Sequence, residues 1–344
     1  MTFYEVIKPE LIKKKDISYM LILGLQGSPR KKGNTDYLLK AFMNEAENSG
    51  AKTHIIEVAK KNISPCLGCG YCEKKGKCVI EDDDMTREIY SLLWQADAIV
   101  AATPIYFYSA TAQLKALIDR SQTLWSRKYR LNLIDPGRKT RQGFLLSIGA
   151  TKGKNLFDGM RLTARYFFDA VGADFHGSLT YSMIENKGDI KKHPTFLDDV
   201  KEQVGSLLKP LLGRKKILFA CIGNTCRSQM ASAFAQYFAG DKIEALSGGS
   251  RPELEINPVM VEAMEEKGID MAFRKTQSLE SAISDVKPDM IITMGCGEEC
   301  PYVPGATVKD WDLADPAGKS IDFMRTVCDE IEKRVKELVE SISD

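Results

Sequence analysis

The amino-acid sequence predicts an α/β protein with two doubly wound parallel sheets, one following the other along the chain. Short apolar segments alternate with helical patterns from Met20 onward, which is typical of βαβ units. This alternation stops near residue 206 and restarts with an apolar strand at Lys216. A length of 344 residues also suits about two domains, at roughly 150 residues each.

The first half contains five predicted strands with helices between them. The strand Met20–Gln26 is apolar throughout, as expected for a strand that is buried on both faces of a parallel sheet. The other four strands are predicted at Thr53–Val58, Ala98–Ala102, Phe144–Gly149 and Phe175–Tyr181. Two of the helices are predicted at Asp36–Asn48 and Asp83–Gln95. This alternation fits a flavodoxin-like doubly wound sheet.

The second half repeats the alternation on a smaller scale. Its strands are predicted at Lys216–Ala220, Ile243–Ser247 and Met290–Thr293, and its helices at Gln229–Phe238, Asn257–Lys267 and Ile321–Ile342. We therefore predict an N-terminal arm at 1–19, a first domain at 20–206, a linker at 207–214 and a second domain at 215–344.

Composition narrows the functions that the chain can have. Apolar residues (44%) and charged residues (28%) lie in the ordinary range of a folded protein. No apolar segment approaches the ~20 residues of a membrane span, and the N-terminal segment lacks the apolar core of a secretory signal. The net charge of +1 argues against a general nucleic-acid binder. We expect a cytoplasmic protein that binds neither membranes nor nucleic acid.

Nine cysteines point to metal or redox chemistry, because disulfide frameworks are rare in cytosolic proteins. Eight of them form one group of four and two pairs: Cys66, Cys69, Cys72 and Cys78; Cys221 and Cys226; Cys296 and Cys300. Cys328 stands alone in an apolar-periodic helix, and we predict that it is a buried small hydrophobe.

The group of four cysteines lies within a 13-residue loop, from Cys66 to Cys78. Four thiolates at this spacing can surround a [4Fe–4S] cluster, and Gly68 and Gly70 allow the backbone to curl around it. A zinc ion with four cysteine ligands and a set of free thiols are the alternatives.

Two other loops of the first half have the chemistry of a ligand site. Gly27–Thr35 is rich in Gly, Ser, Asn and Thr and lies between a strand and a helix N-terminus, where a phosphate is favoured. It matches neither GxGxxG nor GxxxxGK[ST], and a plain polar turn is the alternative. Thr103–Tyr108 carries three aromatic residues at the carboxyl edge of the predicted sheet, which suits a flavin ring or an aromatic interface patch.

The segments GSPRKKGNT, TPIYFYS and Ser147–Gly149 resemble the NADPH-dependent FMN reductase family, and the cysteine loop resembles its iron–sulfur flavoprotein branch, over residues 20–206. The resemblance implies an FMN cofactor, with NAD(P)H or a ferredoxin as electron donor, and a dimer or tetramer. It implies that the FMN phosphate is held by Ser28, Arg30, Asn34 and Thr35. It implies that the ring is lined by Thr103, Pro104, Ile105, Tyr106, Phe107, Ser147 and Gly149.

The second half opens with a Cys-x5-Arg loop between a strand and a helix. Cys221 is the candidate nucleophile, and Arg227 is the candidate clamp for a tetrahedral oxyanion. The helix N-terminus and the arginine favour the thiolate form of such a cysteine. Ser228 is placed to donate a hydrogen bond to it. The predicted oxyanion loop comprises Cys221, Ile222, Gly223, Asn224, Thr225, Cys226, Arg227 and Ser228.

Asp315, which precedes a proline, is a candidate general acid, although by itself the segment reads as an ordinary turn. Together the two motifs resemble the low-molecular-weight protein tyrosine phosphatase fold and its arsenate reductase branch, over residues 215–342. Two features favour the arsenate branch. Ala317 follows the Asp-Pro pair where phosphatases place aromatics, and Cys296 and Cys300 follow the central strand.

The resemblance implies a relay of thiols. Cys221 attacks the arsenic of bound arsenate while Asp315 protonates the departing hydroxyl. Cys296 then attacks the sulfur of Cys221 and releases arsenite, and Cys300 passes the disulfide to a reductant such as thioredoxin. The alternatives are a tyrosine phosphatase fused to a flavoprotein, a redox sensor with a Cys221–Cys226 disulfide, and a structural disulfide or metal site at the downstream pair.

Overall fold

A computed structural model describes residues 20–284, 287–295 and 303–343. These residues form two α/β units, each built around a parallel sheet. The predicted arm at 1–19 and the cysteine pair Cys296 and Cys300 lie outside the described residues. No helix among the described residues is both long and apolar enough to span a membrane.

The first sheet has five parallel strands in the order β2-β1-β3-β4-β5. This is the strand order of a flavodoxin-like doubly wound sheet, so the predicted fold is confirmed. The strands are β1 (Leu21–Gln26), β2 (Lys52–Glu57), β3 (Ala98–Pro104), β4 (Gln142–Ile148) and β5 (Asp174–Tyr181).

Helices cover both faces of this sheet, because its central strands β1, β3 and β4 are buried on both faces. The helices are α1 (Asn34–Asn48), α2 (Tyr71–Lys75), α3 (Tyr90–Gln95), α4 (Ala112–Arg120), α5 (Gln122–Tyr129), α6 (Asp158–Ala170) and α7 (Phe196–Leu208). Phe42 of α1 and Val204 of α7 pack on one face, whereas Leu114 of α4 and Phe168 of α6 pack on the other.

The segment predicted as one helix over Asp83–Gln95 differs in its first half. A π-helical turn at Met85–Ile89 precedes α3. The carboxylate of Asp83 accepts a hydrogen bond from the Thr86 amide (3.2 Å), as an N-cap side chain does at the start of a helix.

The second sheet has four parallel strands in the order β7-β6-β8-β9. The strands are β6 (Lys215–Cys221), β7 (Ile243–Gly249), β8 (Met290–Thr293) and β9 (Thr307–Asp310). Its helices are α8 (Arg227–Ala239), α9 (Pro258–Glu266), α10 (Leu279–Ile283) and α11 (Ile321–Ser343). The edge strand β9 was not predicted, because all four of its residues are exposed and carry no apolar pattern.

Buried contacts join the two units. The guanidinium of Arg127 on α5 pairs with the carboxylate of Asp270 in the second unit through two short contacts (2.7 and 3.0 Å), and both side chains are buried. The ring of Phe273, from the same segment of the second unit, lies 5.7 Å from that of Tyr90 on α3. The units therefore share part of their packing.

Candidate functional site

The Cys-x5-Arg loop lies at the carboxyl end of β6, the strand between β7 and β8 in the second sheet. Cys221 is the last residue of β6, and Arg227 is the first residue of α8. Both side chains are buried, at 3% and 5% exposure. A helix of 13 residues thus begins directly at this loop and favours negative charge there.

The orientation of the loop follows from its carbonyl groups. The carbonyl oxygens of Ile222, Gly223 and Thr225 accept hydrogen bonds from backbone amides in the segment 251–257 (3.0 to 3.2 Å). In a trans peptide the N–H and the C=O point in opposite directions. The amides of the following residues therefore point away from that segment, to the side on which an oxyanion would bind.

The thiol of Cys221 has a defined hydrogen-bond partner. Its Sγ lies 2.9 Å from Oγ of Ser228, and that hydroxyl accepts a hydrogen bond from Nδ2 of Asn224 (2.8 Å). Because the Ser228 oxygen is already an acceptor, its proton can be donated to a thiolate. Asn224 adopts the left-handed conformation (φ 53°), which asparagine tolerates better than most residues.

Arg227 brings the predicted general acid to this loop. Its Nη2 lies 3.0 Å from Oδ2 of Asp315, and its Nη1 donates to the carbonyl of Leu313 (3.2 Å). The Asp315 carboxylate is about half exposed, so a substrate can reach it. The segment that follows β8 also lies close to this arginine, since a Cβ atom at Gly295 would lie 3.0 Å from Nη1 of Arg227.

Cys226, the second thiol of the loop, is also buried, at 3% exposure. Burial raises the pKa of the Cys226 thiol to about 11, and the neighbouring Cys221 and Asp315 act in the same direction. This thiol therefore stays protonated near neutral pH. Cys328 is fully buried in the second core, as predicted, and burial raises its pKa to about 12.

The predicted phosphate loop and the end of β3 lie on one cavity of about 170 Å³. Its lining includes the predicted residues Ser28, Arg30, Asn34, Thr35, Pro104, Ile105 and Tyr106. Both atoms of the Asn34 amide are engaged elsewhere: Nδ2 donates to the carbonyl of Asn186, and Oδ1 accepts from the amide of Gly188 (2.8 Å each). Asn34 therefore ties the loop to the segment after β5, a contact that nothing local in the sequence indicates.

Four other predicted flavin residues have different surroundings. Thr103 and Ser147 are fully buried, and Oγ of Ser147 donates to the carbonyl of Thr103 (2.9 Å), which joins β3 to β4. Gly149 packs against Leu156, because a Cβ atom there would lie 2.4 Å from Cδ2. Phe107 is fully exposed, at the tip of a turn where its φ is 49°.

The four cysteines Cys66, Cys69, Cys72 and Cys78 all line a second cavity, of about 410 Å³. Gly68 and Gly70 have φ values of 64° and 68°, so glycine serves the tight backbone path there. Oγ of Ser126 on α5 lies 3.4 Å from Sγ of Cys72 and donates to it.

A buried ion pair that the sequence did not reveal holds the base of this cysteine loop. Arg120 pairs with Asp83 through Nη1 (2.5 Å) and donates to the carbonyls of Ser64 and Ile80 (2.9 and 3.4 Å). These two carbonyls flank the loop, so one guanidinium holds both of its ends. Burial opposes ionisation of Asp83, but hydrogen bonds from Arg120 and two backbone amides outweigh it and hold the pKa below its usual value.

The positions of the four thiols in the cysteine loop can be compared with those that a metal ion requires. Within the described residues, no three Cys, His, Asp or Glu side chains lie close enough to hold a single metal ion. A zinc ion needs its sulfur ligands at about 2.3 Å. The four cysteines nevertheless line one shared cavity, and both a zinc ion and an iron–sulfur cluster use cysteine thiolates as ligands.

Two family models match the chain. Residues 20–144 match NADPH-dependent FMN reductase, and residues 216–344 match low molecular weight phosphotyrosine protein phosphatase.

The individual relatives are likewise of two kinds, iron–sulfur flavoproteins and an arsenate reductase. An iron–sulfur flavoprotein of Methanosarcina thermophila is 33% identical over 187 residues, which are 54% of this chain and 90% of the relative. A glutaredoxin arsenate reductase of Synechocystis is 36% identical over 131 residues, 38% of this chain and 99% of the relative. An iron–sulfur flavoprotein of Methanocaldococcus jannaschii is 42% identical over 105 residues, 30% of this chain, but the match spans only about half (53%) of that relative.

Proposed function

Because the chain belongs to the iron–sulfur flavoproteins over its first part and to the arsenate reductases of the low molecular weight phosphatase family over its second, we propose that it reduces arsenate with electrons collected by its own first domain. The observation that carries the proposal is the environment of Cys221. A buried thiol lies at a helix N-terminus with Ser228 at 2.9 Å, and the adjoining Arg227 lies 3.0 Å from Asp315.

In the proposed reaction the amides of the loop and the guanidinium of Arg227 hold the arsenate oxygens. The sulfur of Cys221 forms a bond to arsenic while Asp315 gives a proton to the departing hydroxyl, which leaves as water. The thiolate of Cys296 then attacks the sulfur of Cys221. The sulfur–arsenic bond breaks, its electron pair stays on arsenic, and arsenite and a Cys221–Cys296 disulfide are formed.

Reduction of that disulfide completes the cycle. We propose that Cys300 exchanges into the disulfide, and that two electrons reach it from the first domain. Thioredoxin or a glutaredoxin-type partner is the alternative reductant. Cys296 and Cys300 lie outside the described residues, but the described chain reaches Gly295, where a Cβ atom would lie 3.0 Å from Nη1 of Arg227.

For the first domain we propose FMN and a [4Fe–4S] cluster as cofactors, with NAD(P)H or a ferredoxin as donor. Ser28, Arg30 and Thr35 would hold the FMN phosphate at the N-terminus of α1, and the cysteine loop would hold the cluster. When bound, the flavin converts a two-electron donor into single-electron transfers that a cluster can carry. We propose a homodimer or homotetramer.

An anaerobic assay tests the electron supply. The chain is reconstituted with FMN, iron and sulfide, given NADPH or reduced ferredoxin with arsenate, and assayed for arsenite without added thioredoxin. We expect multiple turnovers in the parent chain and none in Cys221→Ser. Cys69→Ser, at the exposed cysteine loop, should lose turnover unless thioredoxin and its reductase are added. If the parent itself needs thioredoxin, the internal supply is wrong while the arsenate chemistry stands.

The same loop geometry also suits hydrolysis of phosphate monoesters, and the family model at 216–344 is that of a phosphatase. Cys296→Ser separates the two reactions. A phosphatase needs only Cys221, Arg227 and Asp315, whereas arsenate reduction also needs the resolving thiol. We expect Cys296→Ser to abolish arsenite release; retained turnover of arsenate would contradict the relay.

A further inference from the structure

The segment 273–277 of the second unit lies between the first unit and the Cys221 loop. On one side, the guanidinium carbon of Arg274 lies 5.3 Å from the ring centre of Trp94, and Phe273 packs on Tyr90. Trp94 and Tyr90 both belong to α3 of the first unit and are buried. On the other side, residues 274–277 contact the helix and the loop that carry the nucleophile.

A continuous chain of hydrogen bonds runs from Arg274 to the thiol. Nη1 of Arg274 donates to Oε1 of Gln229 (3.3 Å), and Nε2 of Gln229 donates to Oδ1 of Asn224 (3.1 Å). Nδ2 of Asn224 donates to Oγ of Ser228 (2.8 Å), which lies 2.9 Å from Sγ of Cys221.

The first member favours one direction of the whole chain. A guanidinium can only donate, so it selects the orientation in which Gln229 presents its oxygen to Arg274 and its nitrogen to Asn224. Asn224 then presents its nitrogen to Ser228, whose proton is left for the sulfur. A reversed chain would turn the Ser228 proton away from Cys221.

The backbone of the same segment reinforces this direction. The amide of Gln277 donates to Oδ1 of Asn224 (2.9 Å), and the carbonyl of Lys275 accepts from Nε2 of Gln229 (3.0 Å). Displacement of the segment would therefore disturb both amide side chains at once, rather than only one contact of Arg274.

The other hydrogen bonds of Arg274 go to neutral oxygens. Nη1 donates to Oγ of Ser232 (2.6 Å), and Nη2 donates to Oε1 of Gln236 (3.3 Å). Burial lowers the pKa of Arg274 to about 10, against the opposing charge of Asp135. The electron-rich face of Trp94 therefore supports a guanidinium that sits mainly among uncharged partners.

We propose that Trp94 of the first unit and Arg274 of the second act together as positioning residues for Cys221, so that docking of the flavoprotein unit sets the reactivity of the thiol. The inference rests on the proposed nucleophilic role of Cys221. Its test measures the thiol directly and needs neither arsenate turnover nor a loaded first domain.

The experiment measures alkylation of Cys221 in the full chain. Iodoacetamide is added at neutral pH, and the peptide that contains residue 221 is quantified by mass spectrometry over time. We expect Arg274→Met and Trp94→Ala to slow alkylation about three- to tenfold, the range of one net hydrogen bond. Arg274→Lys keeps a cationic donor and Trp94→Phe keeps an aromatic face, so each should recover part of the rate.

A matched control lies in the same interface. Nζ of Lys139 lies 4.5 Å from the ring centre of Tyr237, another contact between the units, and Tyr237 lies outside the hydrogen-bond chain described above. In the Lys139→Ala variant we expect Cys221 to be alkylated at the parent rate. Parent-like rates in both Arg274→Met and Trp94→Ala would overturn the proposal, as would equal slowing in Lys139→Ala. If Trp94→Ala fails to fold, Trp94→Phe and the two Arg274 variants decide.

Discussion

Replacing Arg120 by methionine is predicted to loosen the base of the four-cysteine loop and to destabilise the chain. Arg120 and Asp83 are each about 1% exposed, and two guanidinium nitrogens lie 2.5 and 3.2 Å from the carboxylate oxygens. Methionine occupies much of the same space but leaves a buried carboxylate without its cation. Removal of one partner from a buried pair costs about 3–5 kcal/mol. The carbonyls of Ser64 and Ile80 lose their donor as well.

Urea unfolding followed by circular dichroism measures this loss as a change in the free energy of unfolding. Arg130→Met is the matched control: Arg130 is more than half exposed and lies 3.9 Å from Glu73 in the cysteine loop, so we expect a change of no more than about 1 kcal/mol. Arg120→Met combined with Asp83→Asn should recover part of the loss, because no charge remains unpaired and the side-chain oxygen can still accept from a backbone amide. A single variant as stable as the parent, or a double variant less stable than the single one, would refute the reasoning.

Three further predictions concern the thiol loop and the same ion pair. Cys221→Ser should abolish arsenite release, whereas Cys328→Ala should retain it because that thiol is buried in the core; loss of activity in both would contradict the assignment. Arg227→Lys should weaken phosphate binding by at least about tenfold in isothermal titration, since the fork that also holds Asp315 is lost; unchanged affinity would place the anion elsewhere. Burial opposes ionisation of Asp83, but the hydrogen bond from Arg120 lowers its pKa below the usual 3.8. Its stabilisation is therefore full above about pH 4 and lost as the pH falls through the folded-state value, and Arg120→Met should lack this acid-dependent loss in urea titrations.

Much of the fold could be predicted from local sequence patterns. The apolar strands of both sheets and the Cys-x5-Arg loop are each contained within a few residues, and a strand–loop–helix order places the loop at a sheet edge without further information. Strand β9 (Thr307–Asp310) could not be predicted in this way, because it lies exposed at the edge of its sheet.

Contacts between distant residues were also beyond the sequence. Arg120 meets Asp83 across 37 positions, and Arg274 meets Trp94 across the boundary between the units. Residue type alone does not tell a buried charge from an exposed one, so these pairs give no local signal. For the same reason the sequence did not indicate that the hydroxyl of Ser147, a predicted flavin-ring residue, donates to the carbonyl of Thr103 within the sheet. The domain bounds and the roles of the site residues stay predictions.

Arg127 limits which other domains could replace the C-terminal half of this chain. Its Nη1 donates to the carbonyl of Gly76 inside the cysteine loop (3.0 Å), while its Nε lies 2.7 Å from the carboxylate of Asp270. One side chain therefore completes the structure of both halves, and the halves are not freely interchangeable parts. A chimera that replaced the C-terminal half with an unrelated reductase would leave the Arg127 guanidinium beside the cysteine loop without the carboxylate of Asp270. The new domain would have to supply an acidic residue at the same place.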